Sequence, residues 1–283
     1  MRRQDAPSSP GTLLAGTSQG LQQITPVLLT YNEMDNIGRT LAGLAWAQRI
    51  VVVDSGSTDG TLDLLAADPR ITVVVRPFDS FGPQWNSGLE RVETPWVLSL
   101  DADYGVTRSL AAALAAAVEG AAADGTLVDG HVGFRIPFRY CVHGKPLRCA
   151  VLPARIALFR LDRAHFEDDG HKEHLVLDGP CGQLDEPLLH DDRKPLSRWL
   201  WSQQRYASQE VDKLRQTPTS QLSFADRLRR RHVIAPLALP FICLVLRGGV
   251  LDGWRGWFYA FQRAYAELLL SLMLWEERAT AGP

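Results

Sequence analysis

The sequence predicts an α/β fold, in which helices flank a mostly parallel sheet and a helical extension follows. Three observations lead to this class. Short apolar runs of β-type alternate with helical patterns over residues 24–123, as in a parallel sheet covered on both faces. Two further strand patterns, at 132–138 and 156–160, lie among loops rich in Gly and Pro. From residue 196 the pattern is helical.

The first four predicted strands are short and rich in apolar residues, and they are 24–30 (ITPVLLT), 50–54 (IVVVD), 71–76 (ITVVVR) and 96–101 (WVLSLD). Residues 33–46 carry Ile37, Leu41 and Leu44 at helical spacing, and a second helix is expected after Gly60. An Ala-rich helix is predicted over 108–123, with Thr107 as its cap.

Composition and charge exclude several classes. The chain has 283 residues, of which 46% are apolar and 22% charged, which is typical of a globular protein and not of a disordered, fibrous or polytopic membrane protein. The net charge of −2 provides no overall positive field for binding nucleic acid. Four cysteines without a C-x-x-C pair are typical of reduced thiols in a cytosolic protein.

Three regions are predicted along the chain. Residues 1–23 are rich in Ser, Gly, Gln and Pro and lack a continuous apolar segment, which indicates a disordered leader and not a secretion signal. Residues 24–195 form the α/β domain, and residues 196–283 form a helical extension.

The extension has the composition of a membrane-surface segment. Residues 1–192 carry 16 basic and 25 acidic side chains, whereas 193–231 carry 10 basic and 3 acidic ones. An apolar run of 14 residues with two prolines follows at 233–246, which is too short to span a bilayer. Several Trp, Tyr and Phe residues follow within 254–275. We expect peripheral attachment to a membrane surface, the alternative being a buried helix with a solvated basic face.

Polar side chains cluster where the predicted strands end. In open parallel sheets the ligand binds beyond the carboxyl ends of the strands. The segments at those ends are 30–33 (TYNE), 54–57 (DSGS), Arg76 and 101–103 (DAD). The sequence therefore predicts a site along this edge.

Residues 101–103 present two carboxylates around one small residue. In an extended segment residues i and i+2 point the same way, so both carboxylates could bind one hard cation such as Mg²⁺ or Mn²⁺. A capping or loop aspartate is the structural alternative. The segment 54–61 (DSGSTDGT) offers hydrogen bonds to a base or ribose, while Thr58 or Asp59 could cap the next helix. It matches neither G-x-G-x-x-G nor the P-loop motif.

These motifs resemble those of the family 2 glycosyltransferases. TYNE at 30–33, DSGSTDGT at 54–61, NSG at 86–88 and DAD at 101–103 follow the family's order and spacing, and the resemblance covers residues 24–200. It implies the Rossmann-like GT-A fold, a nucleotide-sugar donor, a divalent cation and inversion at the anomeric carbon.

A narrower resemblance is to bacterial lipopolysaccharide core β-1,4-glucosyltransferases. The segments that carry it are 170–175 (GHKEHL), 190–195 (HDDRKP), 199–206, 247–249 (RGG) and 251–253 (LDG). It implies transfer of glucose from UDP-glucose to an inner-core heptose at the cytoplasmic face of the inner membrane.

The family resemblance also assigns roles by position. Asp54 is expected to accept the uracil N–H, Arg76 to contact the base or a phosphate, and Asn86 to bind the donor unless it is a surface amide. Asp103 is expected to bind the metal, with Asp101 on the ribose or sugar or also on the metal, and with His190 as a late ligand or a structural histidine. The nucleotide-sugar site so implied comprises Thr30, Tyr31, Asn32, Glu33, Asp54, Ser55, Arg76, Asn86 and Asp101.

Inversion requires a base for the acceptor hydroxyl. We expect Glu173, because it lies between His171 and His174 in the segment that matches the narrower group, with Asp168 or Asp169 as alternatives. Arg193, Lys194, Arg198 and Arg205 could contact acceptor phosphates or form a solvated face, and Trp199, Trp201 and Tyr206 are interpreted as core.

Two other functions remain open from the sequence. The acceptor could be a polyprenyl phosphate or a protein, or the chain could be a catalytically silent nucleotide-sugar-binding protein.

Overall fold

The structure is a computed structural model that describes residues 15–119, 130–151, 153–169, 172–231 and 233–280. Within these ranges the side chains of residues 15–18, 169, 172 and 173 are not described.

The strands alternate with helices in the first part of the chain and dominate its middle. The strands are β1 (Ile24–Thr30), β2 (Ile50–Asp54), β3 (Ile71–Val75), β4 (Trp96–Asp101), β5 (Tyr104–Gly105), β6 (Gly133–Ile136), β7 (Phe138–Val142), β8 (Lys145–Pro146), β9 (Arg155–Arg160), β10 (Ala164–Asp169), β11 (Lys172–Leu177), β12 (Cys181–Gln183) and β13 (Leu188–His190).

The helices lie on the sheet and then form the C-terminal part. They are α1 (Ala15–Gln22), α2 (Ile37–Gly43), α3 (Thr61–Ala66), α4 (Phe81–Leu89), α5 (Arg108–Glu119), α6 (Leu196–Gln216), α7 (Phe224–Arg229), α8 (Ile234–Phe241) and α9 (Trp254–Thr280). A π-helical turn (Ile242–Leu246) and a 3₁₀ turn (Gly249–Asp252) connect α8 to α9.

The main sheet confirms the predicted α/β class. Its seven strands lie in the order β12-β6-β9-β4-β1-β2-β3, and β4, β1, β2 and β3 are parallel neighbours. Strand β9 runs antiparallel to β4 and β6. The chain moves outward from β1 to β3 and then returns to β4 on the other side of β1. This creates a topological switch point between β1 and β4, where such folds bind ligands.

Alternating side chains of the strands build two cores. On one face Leu28, Val52 and Leu98 pack with the helices α2 and α5. On the other face Val27 and the residues that share its side of the sheet pack with Trp85 of α4. The period of two explains why nearly every residue of these central strands is apolar, since both faces are buried.

Two smaller strand groups attach to this sheet. The hairpin β10–β11 packs on α4, where Phe166 stacks on Trp85 with ring centroids 5.2 Å apart. A four-stranded sheet has the order β5-β13-β7-β8. Its strand β13 ends at His190, so it brings the predicted 190–195 segment beside the end of β4.

The N-terminal segment differs from the prediction. Residues 1–14 lie outside the described part of the chain, but residues 15–22 form α1, so the predicted disorder is wrong for them. Leu21 is buried in the core, and the Gly20 amide donates to Glu119 of α5 at 2.8 Å. The segment is ordered because it covers an apolar stripe of α5 that would otherwise face water.

Several of the basic side chains in residues 193–231 form contacts that pack the C-terminal helices together. Arg229 donates to both carboxylate oxygens of Glu267 on α9, and Arg227 and Arg230 donate to backbone carbonyls. A buried carboxylate requires such a partner, so these cations hold α7 against α6 and α9. No helix in the described ranges is long and apolar enough to cross a membrane.

A close backbone contact joins α9 to the turn that precedes it. A Cβ at Gly256 would lie 1.9 Å from the carbonyl oxygen of Gly249. We expect Gly256→Ala to lower the free energy of unfolding by about 1–3 kcal/mol through overpacking, despite the better helix propensity of Ala. Urea unfolding measures the change.

The matched control is Gly38→Ala in α2, where no atom lies within 4 Å of the added Cβ. Here Ala should raise stability by up to about 1 kcal/mol, since only helix propensity changes. Equal effects of the two substitutions would contradict the packing argument.

Candidate active site

The carboxyl ends of the central strands bring the predicted segments together. Thr30 lies beside Asp54 in the β1–β2 pair, and Leu29 lies beside Asp101 in the β1–β4 pair. The Arg76 amide donates to the Asp54 carbonyl at 2.9 Å. The four segments at the strand ends therefore share one edge, as predicted.

Asp54 has a different position from the one expected. Its side chain is fully buried, and Oδ1 accepts the amides of Gly56 and Ser57 at 2.8 and 2.7 Å. Oδ2 accepts the hydroxyls of Thr30 and Ser57 at 2.8 and 2.6 Å. With four hydrogen bonds made and no exposed surface, this carboxylate organises the loop and is not open to a uracil N–H.

The loops after β1 and β2 form one cross-linked unit. Asn32 has a φ of 55°. Its backbone N–H donates to the Ser57 hydroxyl at 2.8 Å, and its side-chain oxygen accepts the Thr58 backbone N–H at 2.8 Å. Asp59 accepts the Thr61 amide and hydroxyl at the start of α3, but the N-cap residue is Gly60, so neither Thr58 nor Asp59 occupies the predicted capping position. Above this unit Tyr31 is 41% exposed.

Arg76 is held by partners within the chain. It makes a bidentate ion pair with Asp79 at 2.7 and 2.6 Å and donates to Gln84. Gln84 in turn donates to Ser55 at 2.9 Å. The side chain expected to contact the base or a phosphate thus joins α4 to the β2 loop.

Asn86 is structural. Its amide nitrogen donates to the Phe166 carbonyl at 2.8 Å, and its oxygen accepts the Phe166 amide at 3.0 Å. Both the nitrogen and the oxygen of this side-chain amide are bonded to the backbone of β10. The expected contact with the nucleotide-sugar donor is therefore wrong, and so is the alternative of a surface amide. The residue fastens the β10–β11 hairpin to α4.

The two aspartates of the DAD segment lie in different surroundings. Strand β4 ends at Asp101, and Ala102 and Asp103 form a turn, so the expected extended geometry is wrong. The turn arises because Ala102 is buried and its carbonyl accepts the Thr40 hydroxyl at 2.6 Å. Asp101 is 43% exposed and lies 3.5 Å from Arg155, whereas the Asp103 side chain is only 12% exposed.

Asp103 pairs with His190 across the two sheets. Its Oδ2 lies 3.1 Å from His190 Nε2. Burial by itself raises the pKa of Asp103, but the charge and hydrogen bond of His190 outweigh burial and keep that pKa below its usual value. Burial likewise lowers the pKa of His190, and Asp103 more than reverses this. Each group of the pair therefore favours the charged form of the other.

A divalent cation fits one atom of this pair. Asp103 Oδ1 is buried and has no hydrogen-bond partner, which is costly for a carboxylate oxygen unless a cation or donor binds it. The described part of the chain contains no cluster of three or more metal-binding side chains. A cation at Asp103 would therefore take most of its ligands from water and substrate, as Mg²⁺ commonly does.

His190 bonds to Asp103 through Nε2, while its Nδ1 is buried and has no hydrogen-bond partner in the described part of the chain. Through this bond His190 would orient Asp103 toward a cation, and its role as a direct ligand stays a prediction.

A second buried ion pair lies beside the first. Glu33 accepts from Lys194 at 2.6 Å and from Asn36 at 2.9 Å. Burial raises the pKa of Glu33 to about 7, with Lys194 opposing and Asp103 adding to the shift. Lys194, considered above for acceptor phosphates, instead fastens the chain after β13 to the β1 loop. Asn36 also donates to Asp192 at 2.9 Å, which closes the same junction.

The candidate bases lie on the hairpin. Asp168 accepts the Ser80 hydroxyl at 2.7 Å and the Gly82 amide at 2.8 Å, so it caps α4. Glu173 lies opposite Asp168 in the β10–β11 pair, but its side chain and that of Asp169 fall outside the described part of the chain. His171 also lies outside it.

An exposed cationic and aromatic wall stands at the start of α6. The Arg198 guanidinium lies 5.4 Å from the Tyr31 ring and 4.3 Å from the Trp201 ring, and Arg205 lies 4.8 Å from Trp201. Trp201 and Tyr206 are 43% and 52% exposed, so their interpretation as core is wrong. They face outward because Ala207, Val211 and Leu214 supply the buried stripe of this helix.

Two residues beside the site were not predicted from the sequence. Arg155 contacts Asp101 and lies 5.6 Å from the Tyr104 ring. It starts β9, and no local motif marks it; only the antiparallel pairing of β9 with β4 brings it here. The ring centroids of Tyr140 and His190 lie 4.9 Å apart. Tyr140 belongs to β7, and the pairing of strands in the smaller sheet brings it to this position.

The sequence is also similar to those of known proteins. Residues 26–167, half of the chain, match "Glycosyl transferase family 2". The chain is 24% identical over 266 residues to the lipopolysaccharide core biosynthesis glycosyltransferase LpsC of Rhizobium meliloti, covering 90% of this chain and 93% of that protein. An uncharacterized glycosyltransferase of Mycobacterium tuberculosis is 36% identical over 80 residues, or 28% of this chain and 36% of that one.

Two solved structures are similar at low identity. S. aureus TarS 1–349 in complex with UDP-GlcNAc is 14% identical with a TM-score of 0.45, covering 91% of this chain and 92% of that one. Glucosyl-3-phosphoglycerate synthase of Mycobacterium tuberculosis is 16% identical with a TM-score of 0.42, covering 71% and 82%.

The buried Glu33 should make stability depend on pH. Its pKa rises from 4.5 to about 7 on folding, so the stability it contributes is complete below 4.5 and is lost as pH rises through about 7. We expect the Tm of the wild type to fall relative to Glu33→Gln over this range, by the equivalent of roughly 3 kcal/mol at most. Thermal unfolding of both proteins across the range measures it.

Glu33→Gln has no ionisable group at this position, so the pH-dependent difference between the two Tm curves reports the titration of Glu33, including its ion pair with Lys194. Parallel Tm curves for the two proteins would show that Glu33 does not titrate there.

Proposed function

The chain belongs to glycosyl transferase family 2, and from this premise we propose that it is an inverting hexosyltransferase that moves glucose from UDP-glucose to an inner-core heptose of lipopolysaccharide. The similarity to LpsC along 90% of the chain supports a lipopolysaccharide core acceptor. The observation that carries the donor chemistry is the buried, unpartnered oxygen of Asp103 at the switch point of the sheet.

The donor would lie along the edge formed by β1, β2 and β4. Tyr31 offers an exposed ring for the base, and the loop held by Asp54 offers backbone groups for the nucleotide. Asp101 is exposed enough to accept hydrogen bonds from the ribose or the sugar, and Arg155 orients its carboxylate. Asp103 would hold Mg²⁺ or Mn²⁺, with His190 fixing its carboxylate.

The reaction needs one proton acceptor. The acceptor hydroxyl oxygen bonds to the anomeric carbon from the side opposite the diphosphate, and its proton passes to a carboxylate, which we assign to Glu173. The bond from the anomeric carbon to the diphosphate oxygen breaks, and its electron pair leaves with UDP. A bound cation would neutralise the charge that develops on the leaving diphosphate.

The acceptor would approach from the α6 side. Arg198 and Arg205 are held against Trp201 there and can donate to acceptor phosphates, while the exposed aromatic rings can stack on sugar faces. We include in the proposal a peripheral position at the cytoplasmic face of the inner membrane, where such an acceptor is anchored. A polyprenyl phosphate or protein acceptor, or a silent binding protein, is an outcome of the tests below.

Asp103 should be required for metal-dependent donor binding. With Mn²⁺ or Mg²⁺ and UDP-glucose a hundredfold above Kd, the wild type should gain about 2.7 kcal/mol of stability, and chelator should remove the gain. Asp103→Asn should lose the metal-dependent part, because the amide is a poor ligand for a hard cation. Thermal shift measures this without turnover.

Asp63→Asn is the matched control, since Asp63 is an exposed carboxylate on α3. It should keep the full metal-dependent shift. A full shift in Asp103→Asn would refute the metal role of Asp103, and absence of any nucleotide-sugar shift in the wild type would refute the donor proposal.

Glu173 should be required for transfer and not for donor binding. We expect Glu173→Gln to lower kcat by about 10²–10⁴ on a heptose-terminated core acceptor, with the UDP-glucose thermal shift unchanged. Asp168→Asn should chiefly lower stability, by about 1 kcal/mol, because an amide nitrogen cannot replace the carboxylate oxygen that accepts the Ser80 hydroxyl or the Gly82 amide. Product formation by mass spectrometry and thermal unfolding give the two readings.

The opposite pattern, in which Asp168→Asn loses turnover while folded and Glu173→Gln does not, would move the base to Asp168. Donor binding without transfer to any core acceptor would favour the other acceptors or a silent protein.

A further inference from the structure

A cavity of about 470 Å³ lies where β7 and β8 meet the C-terminal helices. Three arginines line it, namely Arg139, Arg148 and Arg247. The residues around it differ from those around Asp103, where Tyr104 and Leu189 line a separate space. The cavity is therefore not part of the proposed donor site.

The cavity has an excess of positive charge. Asp252 accepts the Arg148 amide at 2.9 Å and lies 3.8 Å from the guanidinium of the same residue. Arg247 donates to the Ala150 carbonyl at 2.7 Å, which leaves its charge unbalanced. Within the described ranges the Arg139 guanidinium makes no hydrogen bond or ion pair. Two cationic side chains thus face the cavity without an anion, and a guanidinium fork suits a phosphate.

The framework around these arginines is rigid. Cys149 and Leu147 pack with Cys243 and Tyr259 in one buried cluster. Gly249 approaches Cys149 so closely that an added Cβ would lie 2.9 Å from its Cβ atom. The positions of Arg148 and Arg247 are consequently set by packed backbone on both sides.

Exposed apolar side chains flank the cavity. Arg247 follows directly on Leu246, which is 68% exposed, and Leu251 in the next turn is 72% exposed. The residues nearby in the chain with large exposed apolar surface also include Leu237, Phe241, Val245, Val250, Trp254, Trp257 and Phe261. Apolar side chains of this size beside unbalanced cations are typical of a segment that lies at a lipid–water interface.

We propose that the arginine cavity binds the phosphate of an anionic membrane lipid, while Leu246 and Leu251 enter the apolar layer beside it. The inference rests on the membrane position included in the proposed function and not on the donor chemistry. A lipid supplies both an anion for the cavity and an apolar medium for its rim, which a soluble phosphate does not.

Flotation of the full chain with vesicles tests the site. Vesicles of phosphatidylcholine alone are compared with vesicles of equal parts phosphatidylcholine and phosphatidylglycerol at one ionic strength. We expect tighter binding to the mixed vesicles, and about a fivefold loss of that affinity in Arg139→Gln and in Arg247→Gln. Leu251→Asn should weaken binding to both kinds of vesicle, because it removes apolar insertion.

Arg91→Gln is the control of equal charge change, since Arg91 is exposed and lies outside the cavity and the C-terminal helices. It should bind like the wild type. Arg139→Gln is the decisive variant, because the Arg139 guanidinium makes no hydrogen bond or ion pair with any residue that the structure describes, and its Tm verifies folding.

Three results would overturn the cavity as a lipid site. They are unchanged binding by both cavity variants, an equal loss in Arg91→Gln, and equal wild-type affinity for the two kinds of vesicle. If the wild type binds neither kind, the membrane position fails as well, while the UDP-glucose thermal shift still decides the donor proposal separately.

Discussion

The contact between Asp103 and His190 is the interaction on which the site depends. It joins the turn after β4 to the end of β13, and so connects the seven-stranded sheet to the four-stranded one. A buried ion pair is costly unless its remaining polar atoms are satisfied, and here the second oxygen of Asp103 is not. The fold therefore presents one oriented carboxylate oxygen at the switch point, where a bound cation would relieve the cost.

Burial and hydrogen bonding separate two aspartates that look equivalent in the sequence. Asp54 ends β2 and accepts three hydrogen bonds from its own loop and one from Thr30 of β1, so it holds the loops after β1 and β2 together. Asp101 ends β4 with a partly exposed side chain that remains open to a ligand. The difference follows from the chain after each residue: a loop with amides that fold back in one case, and a turn that leads away in the other.

The arginines in and beside the C-terminal helices have two kinds of surroundings. The arginines of α7 pair with a buried carboxylate or donate hydrogen bonds to a backbone carbonyl, and so hold the helices together. Arg139 of β7 and Arg247, which follows the π-helical turn, have no anionic partner among the described residues and lie near exposed apolar side chains. Charge counted along the chain could not separate these uses, because an arginine beside a buried glutamate and one beside open space have the same sequence signature.

The sequence alone determined the α/β class, the central strands and the edge on which the motifs meet, because apolar periodicity and strand ends are local properties of the chain. It also carried the family resemblance, since the motifs keep their order and spacing. Tertiary structure decided what each polar side chain does. Asn86 and Asp168 fasten the β10–β11 hairpin to α4. Lys194 bonds to Glu33, which lies 161 positions away in the sequence. Strand pairing brings Arg155 into contact with Asp101. Such partners are set by contacts between segments far apart in the chain, and no spacing within a single segment encodes them.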